Sequence, residues 1–360
     1  MFVKTIVRSI VLSTIPLFLT ACGSVGTVAP PPPPRLHFAL VANLHSSNLS
    51  TFTVDSQTGT LTPKATVPTG GSNPRVIALD SAGRFAYVGN SSSNDISVFA
   101  IDTTSGTLTM VGSPVPTGNA PRFIALGPTG KVLYSVNQQE NNVTGFAVDP
   151  NTGALTPLSG TVSTDEAPVR LVFHPSGTFA YLVNFNSSTV TVYRVDSTGA
   201  LGLLGAIPVG ISPTSMSIDP SGNFAYITHL DSNIISTYSI DQVSGHLAPL
   251  VPTVVTEDGP TSITIDAQGR FAYVTNAIAD SISIFSIDAT TGLLTPETVV
   301  PAGTSPVSMT FDNTGRFAYV ADLGDNNVLL FTVNPNTGAL TLSGSPVNAG
   351  IGPVWVSLSK

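Results

Sequence analysis

"GRFAYV" occupies Gly83–Val88, and the same six residues return at Gly269–Val274 and Gly315–Val320. Looser copies begin at Gly130, Gly177 and Gly222, so the leading glycines stand 47, 47, 45, 47 and 46 residues apart. Within each unit the order of signals is constant. A run such as "RFAYVGN" (Arg84–Asn90) leads through a polar stretch to an alternating run such as "ISVFAID" (Ile96–Asp102). A Gly-containing turn follows, then a weaker strand, a Pro, and the run "PRFIALG" (Pro121–Gly127). Short apolar or alternating runs bounded by turn residues read as strands, four to a unit. A period of this length with four strands and no helical spacing specifies a β-propeller, one blade per repeat. The segment His37–Ala82 is a further unit without its own leading glycine, which makes seven. The fold class is therefore all-β: a seven-bladed β-propeller of four-stranded antiparallel blades.

The register of the repeat predicts how the ring shuts. With strands named A to D from the channel outward, "PRFIALG" is A, "RFAYVGN" is B and "ISVFAID" is C. The first unit starts with a B strand, "HFALVAN" (His37–Asn43), and its missing A strand is the C-terminal "PVWVSLS" (Pro353–Ser359). The two termini are expected to meet in one blade, which removes any long unpaired edge. Both faces of a B strand pack on neighbouring blades, so "FAYV" can be apolar throughout. Phe85 and Tyr87 are assigned to one face, Ala86 and Val88 to the other. The small residue recurring at Ala86, Ala180, Ala225, Ala272 and Ala318 is expected to leave room for large side chains of the adjacent blade.

Charged residues are only 9% of the 360, against about a quarter in ordinary soluble domains, while apolar residues reach 42%. Hydroxyls and amides must wet this surface. The formal charge is -8, and loss of Lys4 and Arg8 with a cleaved leader takes it to -10, which argues against a nucleic-acid partner.

Lys4 and Arg8 precede the apolar run Ile10–Ala21, too short to span a bilayer and broken by Pro16, so residues 1–21 read as a signal peptide. "LTAC" (Leu19–Cys22) follows, holding the only cysteine of the chain. It resembles the lipobox of bacterial lipoproteins, which implies cleavage before Cys22 and a diacylglycerol on its sulfur. An ordinary cleaved leader with an idle thiol is the alternative. Several acyl chains on one residue make a stable membrane anchor. Gly23 stands where an enteric retention signal would place Asp, so the resemblance implies the outer membrane, on its periplasmic or surface side. Residues 22–34 form a spacer ending in five prolines, Pro30–Pro34, which favour extended polyproline II. Residues 35–360 are the propeller. With a single cysteine no intramolecular disulfide can form.

"YVTN" (Tyr273–Asn276) resembles the YVTN propeller repeat, and residues 35–360 as a whole resemble the lactonase family of seven-bladed propellers, which includes 6-phosphogluconolactonase-like enzymes. Blade 4 carries the nearest likeness, "VFHPSGTFAYLVNFNSSTV" (Val172–Val190). The resemblance implies a site at one mouth of the channel: an Arg directly after the A-strand proline, a neighbouring His, and a Glu after the Asn that ends strand B. Such an Arg would grip a carboxylate or phosphate, while His and Glu would steer water or a proton. In this chain Pro168 and Asn184 match, but Val169 stands at the Arg position, Arg170 at the His position and Phe185 at the Glu position. Arg122 stands one blade earlier, where the family often has another His.

Arg75, Arg122 and Arg170 all fall at the start of A strands and are expected to ring one channel mouth and bind an anion; pairing with nearby carboxylates is the competing reading. The B–C loops at that mouth bring Glu140, Asn184, His229, Asp231, Asp322 and Asp325, which are either ligand contacts or turn formers. His174 belongs to an A–B turn at the opposite mouth. His37, His45 and His246 share no metal-ligand spacing, and the run at Asp149 lacks the alternating carboxylates of a calcium loop. No cofactor or metal is expected. The leading expectation is a monomeric, lipid-anchored envelope module that binds an envelope protein, a glycan or a small anionic ligand at the mouth. Hydrolysis of a sugar lactone through a rearranged Arg-rich site is the alternative.

Overall fold

The computed structural model describes residues 37–359. The leader, Cys22 and the proline spacer lie outside them. Seven antiparallel sheets form seven blades, and the first is made from both ends of the chain: Pro353–Leu358 is its A strand, followed outward by His37–Asn43, Asn48–Val54 and Leu61–Pro68. Blades 2 to 7 start with A strands at Pro74, Pro121, Pro168, Pro213, Pro260 and Pro306. The closing register runs from Ala39 opposite Leu358 to Ala42 opposite Trp355. It is finished by a reciprocal pair: the Phe38 N–H donates to Ser359 Oγ at 2.8 Å and the Ser359 N–H to the Phe38 carbonyl at 2.8 Å.

Two blades depart from the simple four-strand plan. In blades 2 and 7 the outer strand is split in two, Leu108–Met110 with Val115–Pro116 and Leu340–Leu342 with Val347–Asn348. A Gly-Ser-Pro triplet interrupts each, at Gly112–Pro114 and Gly344–Pro346. Proline has no N–H for the ladder and glycine favours a bend, so the outermost strand yields there.

The repeated hexapeptide is a blade-to-blade fastener. In blade 6, Arg270 Nη2 donates to the Pro335 carbonyl of blade 7 at 2.6 Å, and its guanidinium lies over the Phe271 ring. Phe271 packs on Gly338 in the next C–D turn. That glycine has φ +68, and a side chain there would collide with the ring, so no other residue suits it. Tyr273 Oη then donates to the Gly338 carbonyl at 2.9 Å. The same bond recurs from Tyr319 to Gly59 at 2.7 Å, across the seam between blades 7 and 1. Alternate residues face the other way. Phe85 and Tyr87 pack with Ile124, Leu133 and Phe146 of blade 3, whereas Ala86 and Val88 pack with Leu40 and Leu49 of blade 1. The core therefore lies between blades rather than within them.

Candidate ligand site at the channel mouth

The A strands line the channel, and each starts with a proline followed by a bulge. Pro74 pairs with Asn90 and Val76 with Gly89, so Arg75 is left out of the ladder; Arg122 is skipped in the same way between Pro121 and Phe123. A bulge turns the extra side chain away from the sheet. In blade 4 the skipped residue is Val169, and Arg170 follows it. Arg75 and Arg122 thus hold in blades 2 and 3 the place that Val169 holds in blade 4.

All three arginines line one recess of about 380 Å³, together with His45, Phe123 and Trp355. A second cavity, about 320 Å³, runs deeper along the A strands and shares Arg170, Ser262 and Trp355 with the first. Arg170 and Trp355 therefore mark the layer between them. The Arg170 guanidinium stands 5.1 Å from the Phe123 ring centre and 5.6 Å from that of Trp355. The two rings meet edge to face at 5.6 Å and 72°. Trp355 is fixed by its own N–H, which donates to Ser357 Oγ at 3.0 Å, while that hydroxyl donates to the Ile77 carbonyl at 2.9 Å. Buried Arg170 Nε has no hydrogen-bond partner. Arg75 Nε donates to Ser91 Oγ at 3.2 Å.

None of the three meets a carboxylate. The two ion pairs among the described residues, Arg84–Asp80 and Arg270–Asp266, both sit at A–B turns at the opposite end of the channel. Burial alone lowers the pKa of Arg75 and Arg170, the latter to about 10; burial and then the Arg75 charge take Arg122 to about 10. Protein surrounds Arg122 in the recess, yet its side chain still reaches the water in the channel. At neutral pH all three stay charged. The other half of the rim is neutral: Thr214 Oγ1 donates to the Pro260 carbonyl at 2.9 Å and Thr261 Oγ1 to the Thr275 carbonyl at 3.1 Å. The recess is cationic on blades 2 to 4 and spent on blades 5 and 6.

The remaining six sequence candidates do not line this recess. Glu140, Asp231 and Asp325 are exposed on the B–C loops. Glu140 Oε2 accepts from Asn142 Nδ2 at 3.2 Å, and Asp231 accepts from the Ser212 hydroxyl. Asn184, His229 and Asp322 end their B strands and are fully buried. Asn184 Nδ2 clasps Thr191 Oγ1 at 2.8 Å and Thr189 Oγ1 at 3.1 Å. The His229 ring nitrogens meet Ser236 Oγ at 2.6 Å and the Ile211 carbonyl at 3.2 Å, and burial lowers its pKa. Sequence reasoning missed His45, Phe123 and Trp355 as wall residues. Phe123 and Trp355 could have been found by register, because each stands two residues after its A-strand proline, as Arg170 does.

Seven blades surround a channel whose mouth is lined by three arginines. The sequence matches the Lactonase, 7-bladed beta-propeller family over residues 34–120, 114–173, 163–261 and 250–358, and the chain belongs to that family. Among solved structures, the periplasmic gluconolactonase of Pseudomonas aeruginosa superposes with a TM-score of 0.81 at 21% identity, covering 90% of this chain and 99% of its own. A Bacteroides fragilis protein with a provisional 6-phosphogluconolactonase assignment gives 0.81 at 22% identity, covering 91% and 99%. A Lactobacillus plantarum protein gives 0.80 at 21%, covering 90% and 100%. At these identities the likeness is one of fold. Comparison with curated proteins finds no match.

Proposed function

We propose that the mouth recess takes an anionic sugar lactone and opens its ring with water. The observation that carries this reading is the set of three arginines in one recess with no carboxylate to neutralise them. Such a set is satisfied by a carboxylate or phosphate on the ligand. Family membership supplies the lactone. In this reading Arg75 and Arg122 hold the anionic group, and Arg170 is the cation available to the carbonyl oxygen as it gains charge. His45, the one lining side chain able to act as a base, takes a proton from the attacking water. Water oxygen bonds to the carbonyl carbon, the ring C–O bond breaks, and the ring oxygen leaves as a hydroxyl with the proton that His45 returns, giving a hydroxy acid.

Incubation of purified protein with sugar lactones, with and without a phosphate group, tests this. Turnover above buffer that collapses in Arg122→Ala is the expected result, and rates equal to buffer would end the proposal. One observation favours a second reading, in which the recess binds an anion without turnover: no Asp or Glu lines it. Binding with no hydrolysis would select that one. We also propose that Cys22 anchors the propeller at the cell envelope, where it meets its ligand or an envelope partner. Labelling with radioactive palmitate in a bacterial host, lost in Cys22→Ser, checks the anchor.

A further inference from the structure

The B strands end in Asn43, Asn90, Asn137, Asn184, His229, Asn276 and Asp322, one per blade, all fully buried. In the asparagine blades Nδ2 donates to C-strand side chains five and seven residues on. Asn90 reaches Asp95 Oδ1 at 2.7 Å and Ser97 Oγ at 2.8 Å; Asn43 reaches Asn48 Oδ1 at 2.8 Å and Ser50 Oγ at 2.9 Å. Blade 7 changes both partners at once. Asp322 brings no N–H, and the second partner is Leu329, 3% exposed, where the other blades have Ser or Thr.

Both Asp322 oxygens are left without a hydrogen-bond partner, and so is Asn327 Oδ1 across the hairpin. Asp322 thus places an acceptor where the asparagine blades carry the Nδ2 donor, opposite Asn327 in the B–C ladder. A carboxylate and an amide oxygen facing each other in a buried, partly apolar setting are both satisfied by one proton between them.

We infer that Asp322 is held as a neutral carboxylic acid whose hydroxyl donates to Asn327 Oδ1 in place of the asparagine N–H, and that its ionisation loosens the B–C loop of blade 7. Burial, and then the charge of Asp325, push its pKa up to about 7. The nearby N–H groups of Asp325 and Thr304, which complete no hydrogen bond to the carboxyl, favour the anion and lose, while the Asp325 side chain adds to the rise. Among the described residues Asp325 is the charge that bears on it, and Asp280 of blade 6 faces the loop 302–305, where its Oδ1 accepts from the Ser305 N–H at 2.8 Å; the A strand Pro306–Phe311, that loop, the C strand Asn327–Val333 and the closing stretch 349–352 carry no charge. The loop that would loosen matters at two places. Leu323 lines the mouth recess, and Asn326 Oδ1 accepts from the Gly352 N–H of the closing segment at 2.7 Å. One proton therefore links the recess wall to the seam of the ring.

A carboxyl whose pKa is raised on folding binds its proton more tightly in the native chain. Its contribution is full below the ordinary carboxylate range, declines as pH rises towards the raised value, and is gone above it. The test is carbon NMR of the aspartate side chains across this range, with melting temperatures alongside, in the full chain. One carboxyl titrating near neutrality, absent from Asp322→Asn, is expected. The Asp322→Asn melting temperature should exceed that of the parent at alkaline pH and lose this part of the pH dependence. Leu329→Ser, which supplies a hydroxyl donor, should move the titration to lower pH. Titration of every aspartate in the ordinary acid range would overturn the inference. So would a midpoint that moves on adding calcium or a chelator, which would put a cation where the proton is placed.

Discussion

At the end of the propeller that carries the A–B and C–D turns, the same contacts recur from blade to blade. At the mouth, where B–C and D–A loops gather, equivalent positions hold different residues. Arg84, Arg270 and Arg316 make one contact three times, each donating to a carbonyl in the next blade's C–D turn at 3.0, 2.6 and 2.9 Å. The residue after the A-strand proline is Arg in blades 2 and 3, Val in blades 4, 7 and 1, and Thr in blades 5 and 6. Repetition within the chain marks what holds blades together, because every seam faces the same packing problem. Divergence marks what a single axial ligand can use, since such a ligand meets each blade once and from a different side.

The contrast breaks first at the seam. Deleting Val354–Lys360 removes the A strand of blade 1 and Trp355 with it, opening the sheet edge of His37–Asn43 and the ring. Cooperative loss of the fold is expected by circular dichroism; a truncated protein with an unchanged melt would refute closure by the tail. Overpacking one fastener comes next. Ala272 is fully buried among Phe285, Phe224 and Tyr226, and Ala272→Leu should cost about 1–3 kcal/mol in denaturant unfolding. A neutral result would mean that the recurring alanine is not set by its neighbours.

A finer comparison sits inside the repeat. Tyr273→Phe strands a buried carbonyl at Gly338 and should cost about 1–2 kcal/mol. Tyr87 occupies the same place in blade 2, but its buried hydroxyl has no partner, so Tyr87→Phe should be neutral or slightly stabilising. Equal losses from the two would show that the ring, not the hydrogen bond, does the fastening.

The same division explains what could be read from the sequence. The glycine spacing, the B-strand start at His37 and the tail at Pro353 were enough for blade count and closure, because a period of strands is a local signal repeated seven times. The arginine cluster was legible through register, as three residues beginning A strands. Trp355 was legible only by that same register, since by composition it reads as one more apolar strand residue until the ring brings it against Phe123 of blade 3. Asn184 and His229 looked like mouth ligands by loop position, yet a B-strand terminus faces its own hairpin, and only side-chain direction reveals that.

The smallest effect on stability falls at the mouth, where it is the most informative. Arg122 is crowded by protein, repelled by Arg75 and paired with no carboxylate, while its side chain keeps contact with the channel water, so its removal relieves as much as it forfeits. Arg122→Gln should leave the free protein within about 0.5 kcal/mol of the parent. Inorganic phosphate should raise the melting temperature of the parent progressively with its concentration, since a ligand that binds only the native state stabilises it by mass action. That gain should shrink in Arg122→Gln and survive in Arg270→Gln, whose guanidinium belongs to the fastening end. Equal protection of both variants would mean that phosphate binds elsewhere, and the mouth would lose its distinction from the turns.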